Sequence, residues 1–129
     1  MPVETRRILL VNCDPGIKEM IQLCLETIPN CKVIIVNSNI EAIERASARQ
    51  ISAILLDLDE ISADLSWSEI IKDLKQNQFT NSIPLILLTH TPQAKEIVKL
   101  QQAKGIKAIA KSFNLLSLAS QLSVLLGWN

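Results

Sequence analysis

Short apolar runs alternate along this chain with stripes at helical spacing. The most telling run is Ile51 to Glu60, ISAILLDLDE, which stops on a carboxylate, Asp57. Ala53, Ile54, Leu55 and Leu56 follow one another without polar alternation, so both faces of the segment must be buried. A central strand of a parallel sheet has this pattern. Similar runs at RILLV (ending on Val11), KVIIV (Lys32 to Val36), PLILLT (Pro84 to Thr89) and IKAIA (Ile106 to Ala110) predict four more strands.

Between these runs the period changes to that of a helix. Ile17, Met20, Ile21, Cys24, Leu25 and Ile28 form one stripe, closed by Pro29 and Asn30. Ser38 and Glu41 form a capping box that opens a second helix, whose buried face is Ala42, Ile43 and Ala46. A polar loop from Asp59 to Leu65 precedes a second box, Ser66 and Glu69, and the stripe Trp67, Ile70, Ile71 and Leu74. Thr91 is expected to cap a fourth helix with Pro92 in its first turn, and Gly105 to stop it. The last helix, Leu115 to Leu126, carries the stripe Leu115, Leu118, Ala119, Leu122, Leu125 and Leu126.

Strand and helix thus alternate five times with no repeat and no low-complexity linker. The expectation is an α/β fold: a doubly wound, five-stranded parallel sheet in the flavodoxin-like order 2-1-3-4-5. A chain of 129 residues is long enough for one domain with a real core, so residues 1–129 are expected to form a single domain.

Ligands of such sheets sit beyond the carboxyl ends of the strands. That rim collects Asn12, Cys13 and Asp14, then Asp57, then Thr89 and His90, then Lys111. A carboxylate can act as a nucleophile, while a hydroxyl and an ammonium ion can hold the oxygens of a transferring anion. Singly, each residue has a plainer use: a turn cap, an N-cap, a solvated lysine. Their convergence after successive strands carries the argument. His90 is expected to be an exposed loop histidine.

Bulk properties narrow the function. Thirteen basic and thirteen acidic residues cancel, and no Lys/Arg run forms a stripe for nucleic acid. The apolar runs are far shorter than the ~20 residues that span a bilayer, and MPVETRR lacks a signal-peptide core, so a cytoplasmic protein is expected. Cys13, Cys24 and Cys31 lack metal-ligand spacing and are expected to be reduced thiols, two of them core filler; a redox role for Cys13 beside Lys111 is open to test. No glycine-rich phosphate loop follows the first strand, and the chain has only two Trp, two Phe and no Tyr. Both facts count against a nucleotide- or flavin-binding enzyme of the same architecture.

Through ILLVNCDPGI, ISAILLDLDE, PLILLTH and GIKAIAKSF the chain resembles the receiver domain of two-component response regulators over essentially its whole length. The resemblance implies a signalling module rather than an enzyme. It makes Asp57 the candidate phosphoryl acceptor from a sensor histidine kinase or phosphotransfer protein, Thr89 the switch hydroxyl and Lys111 the site lysine. It implies a magnesium site formed by Asp57 and the backbone carbonyl of Asp59. Partner binding or pairing with a second copy is implied on the face of helix 4, strand 5 and helix 5, where Leu116, Val124 and Trp128 lie off the main stripe. An initiating Met and an end just past helix 5 suggest a stand-alone domain with its output through a surface.

Several residues depart from the family pattern. Asn12 and Cys13 stand where an acidic pair helps hold magnesium, and neither supplies the charged oxygen that this hard cation favours. Asp14 or the Asp59 side chain is a weak candidate to compensate, so magnesium is expected to be weak or absent. Ala108 replaces an aromatic residue. Ser112 replaces a proline commonly found in a cis peptide, and the bond before it is expected to be trans. The loop DEISADLSWS lacks the usual Met-Pro-Gly type turn. Two functions therefore compete: a phosphorelay receiver with impaired magnesium binding, and a pseudo-receiver that binds partners independently of phosphate.

Overall fold

The computed structural model describes residues 5–11, 13, 15–60, 67–111 and 116–128. Five strands, β1 (Arg6–Val11), β2 (Cys31–Val36), β3 (Ala53–Asp57), β4 (Leu85–Thr89) and β5 (Ile106–Ala110), form one sheet. Its order is β2-β1-β3-β4-β5 and all its pairings are parallel. The helices are α1 (Lys18–Leu25), α2 (Asn39–Ala48), α3 (Trp67–Gln76), α4 (Lys95–Leu100) and α5 (Leu116–Leu126). This is the flavodoxin-like α/β arrangement expected from the alternation of periods, with its switch point between β1 and β3.

The side-chain period of two explains the layering. Leu9, Val11, Val36, Ile54, Leu56, Leu85 and Leu87 face one way and pack with Ala42 of α2, Ile70, Ile71 and Leu74 of α3 and Ile97 of α4. Ile8, Leu10, Val33, Leu55, Ile86, Leu88 and Ile109 face the other way, onto Ile21 and Leu25 of α1 and Leu118 and Leu122 of α5. All five residues of β3 and of β4 are buried, as unbroken apolar runs require. Among the described residues, no helix is long and apolar enough to cross a membrane.

The Ser38 capping box is present. The Glu41 N–H donates to Ser38 Oγ at 3.1 Å, and Glu41 Oε1 accepts the Asn37 N–H at 2.9 Å. The Ser66 cap, Leu115, and the peptide bond to Ser112 lie outside the described residues.

Several expectations are corrected. Helix α1 ends at Leu25, before Pro29, and Asn30 takes a left-handed φ of 60° in the turn to β2. Met20 is 54% exposed, because Ile21 and Leu25 centre the buried stripe and a neighbour is rotated by about 100°. Helix α4 starts at Lys95 rather than at Pro92, and its N-cap is Ala94 without a side-chain cap. The reason lies in the preceding turn: the Thr91 N–H donates to Thr89 Oγ1 at 3.1 Å, and the Ala94 N–H to the Thr91 carbonyl at 3.1 Å. The same helix ends at Leu100, where Gln101 turns its side chain to accept the Ala108 N–H at 3.1 Å. Gly105, with φ 83°, makes the later turn into β5.

The C-terminus is also rearranged. Leu125 is 41% exposed, whereas Trp128 packs against the α1–α5 core. Gly127 at φ 67° closes α5, with the Trp128 N–H donating to the Ser123 carbonyl at 2.9 Å. This Schellman-type end brings the residue after the glycine back onto the core. There the Arg6 guanidinium lies 4.9 Å from the centre of the Trp128 ring.

Candidate functional site

Asp57 is the last residue of β3, and its neighbours in the sheet place it at the bottom of the crevice. The apolar run that forms β3 buries it completely, at 0% exposure. A carboxylate so placed needs a partner. Lys111, one residue beyond β5, supplies it: its Nζ donates to Asp57 Oδ1 at 3.0 Å and to Oδ2 at 2.8 Å. The lysine side chain is only 6% exposed, so the charge pair is shielded from water. Its backbone is fixed as well, the Lys111 N–H donating to the Thr89 carbonyl at 2.8 Å.

Asp59 completes the arrangement from the short 3-10 turn Leu58–Glu60. Its N–H donates to Asp57 Oδ1 at 3.1 Å. Its own carboxylate reaches the end of β4. Thr89 Oγ1 donates to Oδ1 at 3.3 Å, and the His90 N–H donates to Oδ2 at 3.0 Å. Lys111 Nζ lies 3.8 Å from the same Oδ2. Thr89 is 2% exposed, which aims its hydroxyl inward. The strand ends thus bring Asp57, Thr89 and Lys111 together, and the Asp59 side chain links the last two.

Sequence reasoning gave Asp59 a backbone carbonyl and a compensating side chain toward magnesium, but not the link to Thr89 and His90. The available signal was a second acid two residues after Asp57. His90 is exposed, but it is held at two points, its Nδ1 lying 3.2 Å from the Lys111 carbonyl and its Nε2 3.6 Å from Asp59 Oδ2. Cys13 is half-buried against the α1–α5 core, while Asn12 and Asp14 lie outside the described residues. Ala108 packs on the side of α2 and α3, too short to reach the crevice.

Among the described residues, the acids of the crevice that could face magnesium are Asp57 and Asp59. That ion demands near-octahedral oxygen coordination. Both of these carboxylates lie close to the Lys111 ammonium, Asp57 Oδ2 at 2.8 Å and Asp59 Oδ2 at 3.8 Å. Among the described residues, no group of three or more His, Cys, Asp or Glu could hold a metal ion. Chemically, the arrangement sets a buried carboxylate beside an ammonium and a hydroxyl, groups able to hold the oxygens of an anion.

No family model matches the chain, and no curated protein matches it by sequence. Solved structures do. The receiver domain of a sensor histidine kinase from Pseudomonas aeruginosa PAO1, which has a magnesium ion coordinated in its active-site cleft, is 23% identical with a TM-score of 0.74, covering 96% of this chain and 99% of that one. The chemotaxis response regulator CheY4 of Vibrio cholerae is 20% identical with a TM-score of 0.74, covering 95% and 99%. A two-component response regulator from Clostridium difficile is 19% identical, also with a TM-score of 0.74, covering 95% and 97%. The chain has the fold of response-regulator receiver domains.

Proposed function

We propose that this chain is a receiver domain of a two-component phosphorelay, with Asp57 as the acceptor and with magnesium binding impaired by Asn12 and Cys13. The observation that carries the reading is the buried Asp57 at the end of β3, met by Lys111 from the end of β5 and, through Asp59, by Thr89 from β4. In the step envisaged, an Asp57 carboxylate oxygen attacks the phosphorus of a phosphohistidine on a histidine kinase or phosphotransfer protein. The P–N bond breaks and the imidazole leaves. Lys111 moves from the carboxylate to a phosphoryl oxygen, and Thr89 exchanges Asp59 for another. Phosphoryl transfer is mainly positioning and charge stabilisation, so these two donors are the essential parts this chain supplies. With Asn12 and Cys13 standing after the first strand where the family pattern has an acidic pair, magnesium would be held weakly and transfer would be slow.

The output would pass to a protein partner, or to a second copy of the chain, at the face of α4, β5 and α5. A largely apolar groove of about 510 Å³ lies there, lined by Pro92, Ala108, Ala110, Gln121, Val124 and Leu125. Val124 is 65% exposed in it. Apolar patches of this kind mark interaction sites. A cytoplasmic location, where kinase and partner would meet it, belongs to the same reading.

A second reading is favoured by one feature. Lys111 engages both oxygens of a fully buried Asp57, which closes the nucleophile to attack. The chain would then be a phosphate-independent interaction module using the same groove. Incubation with acetyl phosphate, with and without magnesium, followed by intact-mass analysis separates the two. A stoichiometric phosphate adduct that is absent in Asp57→Asn supports the phosphorelay receiver. No adduct at any magnesium concentration overturns it in favour of the interaction module.

A further inference from the structure

The opposite end of the sheet carries a second concentration of charge. Register places Arg7 of β1 beside Lys32 of β2. Arg7 shares its side of the strand with Leu9 and Val11, and Lys32 shares its side with Ile34 and Val36. Those four apolar residues pack on the side covered by α2. Both cations therefore emerge under α2, at the amino ends of the strands. In a right-handed crossover the helix runs back against the strands, so the end of α2 returns to the same place and delivers Arg45 and Arg49. Arg7, Lys32, Arg45 and Arg49 line one concave site of about 340 Å³, together with Val33 and Ile34.

Four cations in one cavity repel each other unless an anion joins them. Among the described residues, none of the four makes an ion pair. Two acids of the neighbouring helices accept backbone N–H groups instead. Glu41, four residues before Arg45 and its natural helical partner, accepts the Asn37 N–H at 2.9 Å. Glu26 accepts the Val33 N–H at 2.9 Å through Oε2. The carboxyl end of α2 itself attracts a cation through the helix dipole, but that attraction fades within a turn and does not account for Arg7 and Lys32 on the strands.

We propose that this cavity binds a small molecule carrying two or more phosphate groups. Guanidinium forks suit phosphate oxygens in bidentate geometry, and three of the four cations are arginines. The site is concave and its volume falls in the range of small-ligand pockets. A nucleic-acid backbone would instead require a basic stripe along a surface. The sequence shows no basic run; the fold assembles this cluster from positions between 7 and 49. The site lies at the other end of the strands from Asp57 and does not depend on phosphotransfer there.

The test is an NMR titration of the full, isotope-labelled chain in magnesium-free buffer, with inorganic pyrophosphate in one arm and ADP in the other. Saturable shifts at the amides around Arg7, Lys32, Arg45 and Arg49 are expected. Equal affinity in the two arms assigns recognition to the phosphates alone. Tighter binding of ADP adds contact between the nucleoside and Val33 or Ile34. The exposed pair R45Q/R49Q should weaken binding by at least about tenfold, since it removes two charge-assisted contacts. K107Q, on the far strand β5, should leave it unchanged. Raised salt should weaken binding of wild type more than of R45Q/R49Q. Shifts that do not saturate at millimolar pyrophosphate, that centre on the Asp57 crevice, or that survive R45Q/R49Q unchanged would overturn the proposal. Displacement of pyrophosphate by duplex DNA, with shifts spread over the surface lysines, would overturn it too.

Discussion

Removing Lys111 should cost more stability than removing both members of its pair. Lys111→Met leaves the Asp57 carboxylate at 0% exposure without the ammonium that now donates to both of its oxygens. The Asp59 N–H to Asp57 Oδ1 remains, but a neutral amide does not replace a charge. Breaking a buried pair from one side costs about 3–5 kcal/mol, against a total domain stability of about 5–15 kcal/mol. Asp57→Asn is milder, at about 1–3 kcal/mol, because Lys111 still lies 3.8 Å from Asp59 Oδ2 and the new amide can keep one hydrogen bond. The double variant Asp57→Asn/Lys111→Met contains no unpaired buried charge, so it should recover much of the loss in Lys111→Met. The measurement is urea unfolding at neutral pH, followed by circular dichroism and by the fluorescence of Trp67 and Trp128. A coupling of about 2 kcal/mol between the sites is expected. If Lys111→Met costs under about 1 kcal/mol, or if the two single losses simply add, the pair behaves like a solvated one and the burial argument fails.

Other expectations are shorter to state. Thr89→Val keeps the shape of a 2% exposed side chain but removes the donor to Asp59 and the acceptor for the Thr91 N–H; a loss of about 1–2 kcal/mol in urea unfolding is expected, with faster amide exchange at Thr91. Gly105→Ala places a Cβ where φ is 83° and should cost about 1–3 kcal/mol, read as a lowered unfolding midpoint. The Cys31 thiol is pushed up from 9.0 to about 11 by burial first and then by Glu26, with Arg6 opposing. Its folded pKa lies above its unfolded value, so the stability it contributes is present below the unfolded value of 9.0 and is lost as pH rises towards about 11. Stability measured across that window should fall less steeply in Cys31→Ser than in wild type, and an equal slope would contradict the assignment.

What was legible in the sequence follows from how local each cause is. The strand runs announced themselves because burial on both faces forces unbroken apolar residues, and β5 begins and ends where IKAIA does. The cap of α2 was legible because Ser38 and Glu41 lie three residues apart. Contacts between distant residues decided the rest. The start of α4 moved because Thr89, held by Asp59 from another strand end, takes the Thr91 N–H. Trp128 moved inward because a glycine reversal reached a core and an arginine at position 6. In the crevice, Asp57, Thr89 and Lys111 could be placed together from strand order alone. The linking carboxylate of Asp59 could not, since its orientation depends on the 3-10 turn after β3.

That linkage ties the crevice to the groove. Asp59 holds the Thr89 hydroxyl and the His90 N–H, while Lys111 donates its backbone N–H to the Thr89 carbonyl and its carbonyl faces His90 Nδ1. The ends of β4 and β5 are therefore coupled through the two residues that contact Asp59 and through the backbone of Lys111. Pro92, three residues after Thr89, forms part of the groove wall. On the phosphorelay reading, an added charge on Asp57 would draw Thr89 and Lys111 away from Asp59 together, loosen the turn that now delays α4 to Lys95, and shift that wall. The interaction-module reading has the same network acting as a fixed brace that holds one groove shape. Both follow from the same contacts, and they differ only in whether Lys111 ever leaves Asp57.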